Sequence, residues 1–310
     1  MRIVSLISSG TEILFALGLG QRVVAVSHEC DYPAAALELP RATRSWIDSS
    51  TPSDEIDQQV KHCLAAGQPL YDIHAEMLCR LAPDLIVTQA QCDVCAVRLA
   101  DVVDLVGSRA ELQSAQVLAL NPQSLAELLS DICRVGNATG AADEASRLCM
   151  RLNERINRVS TTTACLPMAD RPRVACLEWM LPLMAAGNWT PELIELAGGR
   201  SGLATPGRHT DYVAWNEIRE FDPEVLLVAP CGFDLARSRR EAELLGGLPG
   251  FAELGAVRAG RAFVIDGNAY LNRSGPRLVE SVELLAYLIH PGRFAAPTGE
   301  LAEGRAWSRL

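Results

Sequence analysis

Cysteine side chains offer the most specific chemistry in this sequence, because ten of its 310 residues are cysteines. Four of them shortly follow predicted β-strands: Cys30, Cys92, Cys95 and Cys231. Thiolates are ligands of zinc and of iron–sulfur clusters, and the carboxyl ends of parallel strands line ligand clefts. The positions therefore predict a zinc or iron–sulfur site of four cysteines in a cleft. Two alternatives stay open, namely inert packing and a redox-active dithiol at Cys92 and Cys95.

His28 and Glu29 stand immediately before Cys30, in the loop after a predicted strand at 23–27. A neutral imidazole is a common metal ligand, which makes His28 a candidate ligand. The alternative is a histidine that hydrogen-bonds the backbone of its own loop. Glu29 is expected to orient a neighbouring group rather than to transfer a proton.

Polar and aromatic side chains follow several other predicted strands. The segment 8–12 opens a helix, whose backbone N–H groups can receive the oxygens of a ligand, and plain capping is the alternative. The loop 266–273 is more polar than a turn requires, and two loop tryptophans offer walls for a flat ring or fill an interface. These further candidate binding residues are Ser9, Thr11, Glu12, Trp179, Trp189, Asn268, Tyr270, Asn272 and Arg273.

Composition and motifs exclude several classes of protein. Hydrophobic residues make up 49% of the chain, which excludes a disordered protein. The 28 basic and 38 acidic residues give a net charge of −10, which argues against a nucleic-acid partner. No apolar run reaches the roughly 18 residues that a membrane-spanning helix needs. Catalytic motifs such as Gly-x-Ser-x-Gly and His-Glu-x-x-His are absent from the sequence, so we expect binding without catalysis.

The first residues bear on location. Met1 and Arg2 lead straight into a predicted strand at 3–7, without the basic, apolar and small-residue pattern of a secretory signal. We therefore expect a cytoplasmic protein with reduced thiols. The alternative is a periplasmic protein whose true start lies upstream.

Short apolar runs alternate with helical patterns, which predicts an α/β fold with mainly parallel strands. The predicted strands are 3–7, 23–27, 85–88, 117–120, 174–177, 225–228 and 262–265. The predicted helices are 11–17, 56–66, 75–81, 96–106, 124–135, 191–197, 213–220, 239–245 and 277–288.

A longer amphipathic pattern at 141–160 lacks glycine and proline and predicts a helix about 30 Å long. Segments 74–89 and 214–229 share one pattern, which is a helix, a proline turn and a buried strand. This repeat predicts two Rossmann-like lobes joined by the long helix, with a ligand cleft between them. The predicted divisions are an N-terminal lobe at 1–138, the backbone helix at 139–161, a C-terminal lobe at 162–295 and a tail at 296–310.

The sequence resembles a known family over nearly its whole length, through segments 2–33, 82–89, 221–234 and 257–281 and the long helix. It is similar to the helical-backbone, class III substrate-binding proteins of metal-chelate ABC transporters, most closely the cobalamin-binding branch. The resemblance implies that a cobalamin-type corrinoid or a related metal chelate is held between the lobes, with His28 as a candidate ligand of the corrinoid cobalt. The alternative function is a cytoplasmic metalloprotein whose four-cysteine zinc or iron–sulfur site serves redox chemistry or metal handling.

The same resemblance implies docking on an ABC permease through one acidic residue per lobe, near the start of the repeated helices. Glu76 has the matching position in the first lobe, seven residues before Pro83. In the second lobe, the residue seven positions before Pro223 is Asn216, and the acidic Glu217 is the residue after it. Glu76 and Glu217 are therefore the candidate docking residues, and a cytoplasmic relative of the family without docking is the simpler interpretation.

Overall fold

The computed structural model describes residues 1–90, 94 and 96–310. These residues form two compact units, both of the predicted α/β class. The first unit comprises residues 1–122 and 126–150, and the second unit comprises residues 123–125 and 151–310. Within the described residues, none of the helices combines the length and apolar character that crossing a membrane requires.

Strands and helices alternate along the chain, and each predicted element is present with its ends shifted by at most four residues. The strands are β1 (Ile3–Ser5), β2 (Val23–Val26), β3 (Thr43–Ser45), β4 (Tyr71–Ile73), β5 (Leu85–Gln89), β6 (Gln116–Leu120), β7 (Arg173–Trp179), β8 (Met184–Ala185), β9 (Arg200–Ser201), β10 (Asp211–Tyr212), β11 (Val225–Val228), β12 (Ala262–Ile265) and β13 (Trp307–Arg309). The helices are α1 (Ser8–Ala16), α2 (Ser53–Ala65), α3 (Ala75–Leu81), α4 (Leu99–Ser108), α5 (Leu125–Thr139), α6 (Ala142–Ala164), α7 (Thr190–Leu196), α8 (Trp215–Phe221), α9 (Leu235–Ala242), α10 (Gly255–Arg258) and α11 (Leu278–Ile289).

The main sheet of the first unit is parallel, in the order β2–β1–β5–β6. Its central strands β1 and β5 consist of buried residues such as Ile3, Val4 and Ile86, as expected for strands covered on both faces. Because parallel strands share one direction, the loops after β1, β2 and β5 lie at the same edge of the sheet. This edge is the first place to look for a binding site.

A two-stranded antiparallel ribbon of β3 and β4 also belongs to the first unit, and the sequence patterns did not predict it. Thr43 pairs with Ile73, and Ser45 pairs with Tyr71. Both strands are only three residues long, so hydrophobic alternation gives no signal for them. The Ala42 N–H donates to the carbonyl of Val26, which holds the ribbon beside β2.

The sheet of the second unit is mixed, in the order β10–β8–β7–β11–β12–β13, with β9 also paired to β7. The central strands β7, β11 and β12 are parallel, and antiparallel strands occupy both edges. The predicted tail at 296–310 therefore contains a strand, because β13 pairs with β12 and buries Trp307. The proline and glycine residues that precede β13 hide it from a pattern-based prediction.

The predicted long helix is present as α6, whose residues are shared between the two units. On its inner face, buried side chains recur at helical spacing: Ala145, Leu148, Leu152, Ile156 and Val159. Arg155 donates through Nε and Nη2 to the two carboxylate oxygens of Glu283 on α11, at 2.9 and 2.6 Å. This two-point ion pair joins α6 to α11 within the second unit.

The repeated segments adopt the same local structure in the two units. α3 leads to β5, and α8 leads to β11, each through a turn that contains a proline. The residue after each helix is left-handed, with φ of 41° at Ala82 and 42° at Asp222. Because such φ values are uncommon outside glycine, their recurrence at matched positions confirms the internal repeat in backbone detail.

Candidate functional site

His28 lies at the strand edge of the first unit, in the loop that follows β2. Its backbone N–H donates to Thr43 Oγ1 at 3.0 Å, and its Nδ1 lies 2.7 Å from the same oxygen. Thr43 in turn donates its hydroxyl proton to Ser27 Oγ at 3.2 Å. When Thr43 donates to Ser27, Thr43 Oγ1 can accept the proton of His28 Nδ1–H, and in that tautomer the lone pair of the imidazole is on Nε2. A metal-binding histidine has its second nitrogen fixed in this way.

The protonation state of His28 also suits a metal ligand. Burial lowers the pKa of His28, and the positive charge of Arg41 lowers this pKa further. Arg41 is itself fixed, because its Nη1 donates to the carbonyls of Ser27 and Cys30 at 3.1 and 2.7 Å. The imidazole is therefore neutral at pH 7, and 23% of the side chain is exposed. A neutral and partly exposed imidazole can donate its lone pair to a metal ion.

Tyr71 and Glu29 flank the His28 ring. The centroid of the Tyr71 ring lies 5.4 Å from that of the imidazole, and the Tyr71 hydroxyl donates to the Val94 carbonyl at 2.8 Å. Glu29 is exposed, and its Oε1 lies 3.9 Å from His28 Nε2. Thr43 thus holds the His28 ring at Nδ1, and the ring of Tyr71 lies beside it. Nε2 lies on the side of the exposed carboxylate of Glu29.

The polar segment 8–12, which was predicted to open the first helix, forms the first turn of α1. α1 begins three residues earlier than predicted, because Ile7 adopts the extended cap conformation and the Thr11 N–H donates to the Ile7 carbonyl. Ser9, Thr11 and Glu12 are all buried. These side chains are therefore enclosed in the first unit, and ligand binding by the backbone N–H groups at this helix start stays a prediction.

The four predicted cysteine ligands have different surroundings. Cys30 is buried, and its Sγ lies 3.1 Å from Thr11 Oγ1, so it packs against α1. Cys231 is exposed and belongs to the second unit. Cys92 and Cys95 lie outside the described residues. Over residues 1–90, 94 and 96–310, no group of three or more His, Cys, Asp and Glu side chains is placed to hold a metal ion.

At the strand edge of the second unit, two aromatic rings and an arginine form a cluster. Trp179 ends β7, and its ring centroid lies 5.3 Å from that of Phe233. The guanidinium carbon of Arg237 lies 3.5 Å from the Phe233 centroid, which is a cation–π distance. Trp179 and Arg237 are partly exposed, so this cluster offers an aromatic surface and a cation to a ligand.

The polar loop after β12 contains one candidate contact and one structural brace. Arg273 Nη2 donates to Asn268 Oδ1 at 2.6 Å, and both side chains are partly exposed. Asn272 Nδ2 instead donates to the carbonyls of Ala229 and Gly267, at 2.8 and 2.9 Å. Asn272 therefore ties two loops together, whereas Arg273 is able to donate to a carboxylate or amide oxygen.

Trp189 and Tyr270, both predicted as ligand contacts, are core residues. Trp189 is buried, and its Nε1 donates to the carbonyl of Leu271. Tyr270 is also buried, and this burial raises its pKa to about 12. Neither ring is exposed at the strand edge, so the structure gives no support to ligand contact by these two residues, which stays a prediction. A loop position alone does not distinguish a buried aromatic ring from an exposed one.

Glu76 and Glu217, the candidate docking residues, differ in their contacts. Glu76 is the second residue of α3, its side chain is 74% exposed, and its Oε1 lies 3.3 Å from Arg109 Nη2. Glu217 is the third residue of α8, and its Oε2 accepts the N–H of Ala214 at 2.7 Å. The second residue of α8 is Asn216. Glu217 therefore caps its own helix, whereas Glu76 presents a carboxylate on the surface.

Sequence reasoning missed the residues that position the groups at both edges, namely Arg41, Thr43, Tyr71, Phe233 and Arg237. Thr43 and Tyr71 come from the ribbon of β3 and β4, whose partners are far apart in the chain and leave no periodic signal. For Arg237 a usable signal exists, because Asp234 is a typical N-cap residue and α9 begins directly after it.

Comparisons with known proteins place the whole chain among binding proteins. The family model described as "Periplasmic binding protein" matches residues 3–269. An uncharacterized ABC transporter substrate-binding lipoprotein of Bacillus subtilis (strain 168) is 24% identical over 299 residues, which are 94% of this chain and 81% of the relative. A vitamin B12-binding protein of Vibrio cholerae is 22% identical over 289 residues, which are 91% of this chain and 86% of the relative.

A solved structure shows the same fold. The structure of a periplasmic heme-binding protein from Pseudomonas aeruginosa superposes with a TM-score of 0.70 at 21% sequence identity. The match covers 96% of this chain and 95% of that chain. At this identity the likeness concerns the fold, and the ligand has to be argued from the residues of this chain.

Proposed function

Because the chain belongs to the periplasmic binding protein family, we propose that it is a substrate-binding protein for a cobalamin-type corrinoid, without catalysis of its own. The observation that carries the proposal is His28, whose Nδ1 is held by Thr43 and whose ring is neutral. Such a histidine leaves Nε2 free to bind an open axial position of the ligand's metal. The similarity to a vitamin B12-binding protein supports a corrinoid as this ligand.

The strand edge of the second unit, considered by itself, also has groups of kinds that suit a corrinoid. A corrin ring is flat, and amide side chains surround it. Trp179, which is partly exposed and packs on the buried Phe233, provides aromatic surface for contact with a flat ring. Arg237 and Arg273 provide guanidinium groups that can donate to amide or carboxylate oxygens. These contacts explain binding and orientation of a ligand, which is the function we propose.

Spectroscopic titration of the purified full-length chain tests this function. Aquocobalamin carries an exchangeable water on cobalt, so coordination by His28 should shift its absorbance when it binds. Cyanocobalamin keeps its cyanide and should bind without that shift. Haemin is the competing ligand, because its iron also accepts an imidazole nitrogen. Micromolar or tighter binding of aquocobalamin would support the proposal, whereas tighter binding of haemin, or no binding of either corrinoid, would contradict it.

Acidic pH should destabilise the folded chain through His28. In the unfolded chain a histidine has a pKa near 6.5, whereas burial lowers the pKa of the folded His28. Between these two values the unfolded state binds a proton that the folded state does not. The free energy of unfolding should therefore fall as the pH drops below about 6.5. Burial also lowers the pKa of His290, so His290 should likewise reduce the free energy of unfolding as the pH falls.

Urea unfolding at about pH 8 and about pH 5.5 measures this effect. The His28→Gln variant should lose less stability between the two pH values than the parent chain, because the contribution of His28 is removed. His62→Gln, on an exposed position of α2, is the matched control and should behave like the parent. Equal losses in the parent and in His28→Gln would show that His28 is not the titrating group.

Docking on an ABC permease is the second part of the proposed function. Glu76 is exposed at the start of α3, whereas Glu217 is engaged in capping α8. We therefore expect docking to depend on Glu76. The measurement is the ATPase rate of a candidate permease in vesicles, stimulated by the loaded binding protein. Glu76→Gln should lower the stimulation severalfold and Glu217→Gln should not, and the reverse order would contradict the assignment.

A further inference from the structure

Two cysteines that the proposed function does not use lie against each other in the first unit. Cys133 is on α5 and Cys149 is on α6, and their sulfur atoms are 3.8 Å apart. Cys133 is exposed, and Cys149 is partly buried. The Cys149 thiol also lies 3.5 Å from the carbonyl of Leu129, one turn before Cys133 on α5. The pair therefore sits in the contact between two consecutive helices.

Small residues bring the two helices close together at this point. A Cβ atom added at Gly136 would lie 2.5 Å from the Cβ of Ala145, so the helices approach closely there. Gly136 is one turn after Cys133, and Ala145 is one turn before Cys149, so all four residues lie along one contact line. The two sulfur atoms are therefore close because the helix backbones approach each other at this point.

We propose that Cys133 and Cys149 form a reversible disulfide that fastens α5 to α6, with a low-molecular-weight disulfide such as oxidised glutathione as the oxidant. A disulfide requires the two sulfur atoms to approach to about 2.05 Å, and the sulfur atoms of Cys133 and Cys149 start from 3.8 Å, in helices that pack closely at Gly136. The bond would close a loop that contains the turn between the helices, around Gly140. The site is separate from His28 and does not depend on the identity of the ligand.

The exposed Cys133 reacts first. Its thiol loses a proton to solvent, and the thiolate attacks one sulfur of the small disulfide, which forms a mixed disulfide and releases one small thiol. Cys149 then loses its proton to solvent and attacks the Cys133 sulfur, which releases the second small thiol. Two protein thiols are oxidised, and one small disulfide is reduced to two thiols. Burial, together with the neighbouring Cys133, raises the pKa of Cys149 to about 12, so the second step should be faster at higher pH.

Peptide mapping of the full-length chain tests the bond directly. The reduced protein, freed of reductant, is incubated with oxidised glutathione, blocked with iodoacetamide and digested with trypsin. Cleavage after arginine places Cys133 in peptide 110–134 and Cys149 in peptide 148–151, and each peptide contains a single cysteine. The disulfide should join these two peptides into one species that dithiothreitol separates. Cys133→Ser should abolish this species, whereas Cys165→Ser, which removes another exposed thiol, should leave it unchanged.

Thermal unfolding supplies a second measurement. Oxidation should raise the midpoint of the first unit by roughly 5–10 °C, because the bond restricts the unfolded chain. The rise should vanish in Cys133→Ser. Glutathione that stays attached to Cys133 without formation of the joined peptides would overturn the proposal. Joined peptides with an unchanged midpoint would overturn the claim that the bond fastens the helices.

Discussion

Replacement of His28 by alanine is expected to weaken binding of aquocobalamin by more than roughly tenfold and to abolish the absorbance shift that accompanies it. The variant loses the nitrogen that would displace water from cobalt. Affinity for cyanocobalamin, whose cobalt has no exchangeable water, should change little. The measurement is a pair of spectroscopic titrations with the two corrinoids.

Thr43→Val tests the hydrogen bond that orients the His28 ring. It removes the hydroxyl that fixes Nδ1 of His28, and it should weaken binding of aquocobalamin by roughly tenfold, with the shift retained. His62→Ala, on the exposed side of α2, is the control and should match the parent. If His28→Ala weakens both corrinoids equally, His28 contributes packing rather than coordination, and the axial-ligand assignment is wrong.

Gly267→Ala should be among the most destabilising single substitutions in the second unit, with a loss of roughly 2–4 kcal/mol in the free energy of unfolding. An added Cβ would overlap the carbonyl oxygen of Pro230 and would lie 2.7 Å from the carbonyl carbon of Ala229. Both contacts are with backbone, so no side chain can rotate away. The loops after β11 and β12 would have to separate, which would break the bonds that Asn272 makes to them.

Urea unfolding of the purified variants measures this loss. Gly292→Ala is the matched control, because an added Cβ there has no atom within 4 Å and the backbone φ is not positive. It should change stability by no more than about 0.5 kcal/mol. An unfolding midpoint of Gly267→Ala that equals that of Gly292→Ala would show that the two loops separate without cost.

The α/β architecture could be predicted from sequence because it depends on local hydrophobic patterns. Runs such as 225–228 are apolar throughout, and they form the buried parallel strands that such runs predict. The positions of His28 and Arg273 in loops after strands follow from the same pattern, whereas Trp179, predicted to follow a strand, is the last residue of β7. The cytoplasmic location expected from the first residues stays a prediction.

The parts of the site that could not be predicted depend on contacts between distant segments. Thr43 reaches His28 because β3 pairs with β4, and no local pattern announces strands of three residues. Trp189 and Tyr270 lie in loops, yet their burial is decided by contacts with residues such as Leu271 and Glu280, which only the folded chain brings to them. Sequence therefore located the loops but could not decide which of their side chains face solvent.

The strand order of the second sheet also determines when the protein can finish folding. β13 is the last strand to be synthesised, and it covers the edge of β12 through pairs such as Val264 with Ser308. The parallel sheet of the first unit takes all of its strands from the first 120 residues, so it can form while the rest of the chain is still on the ribosome. Until β13 has been synthesised, the edge of β12 therefore has no partner strand, and a chain cut short before Trp307 should expose that apolar edge.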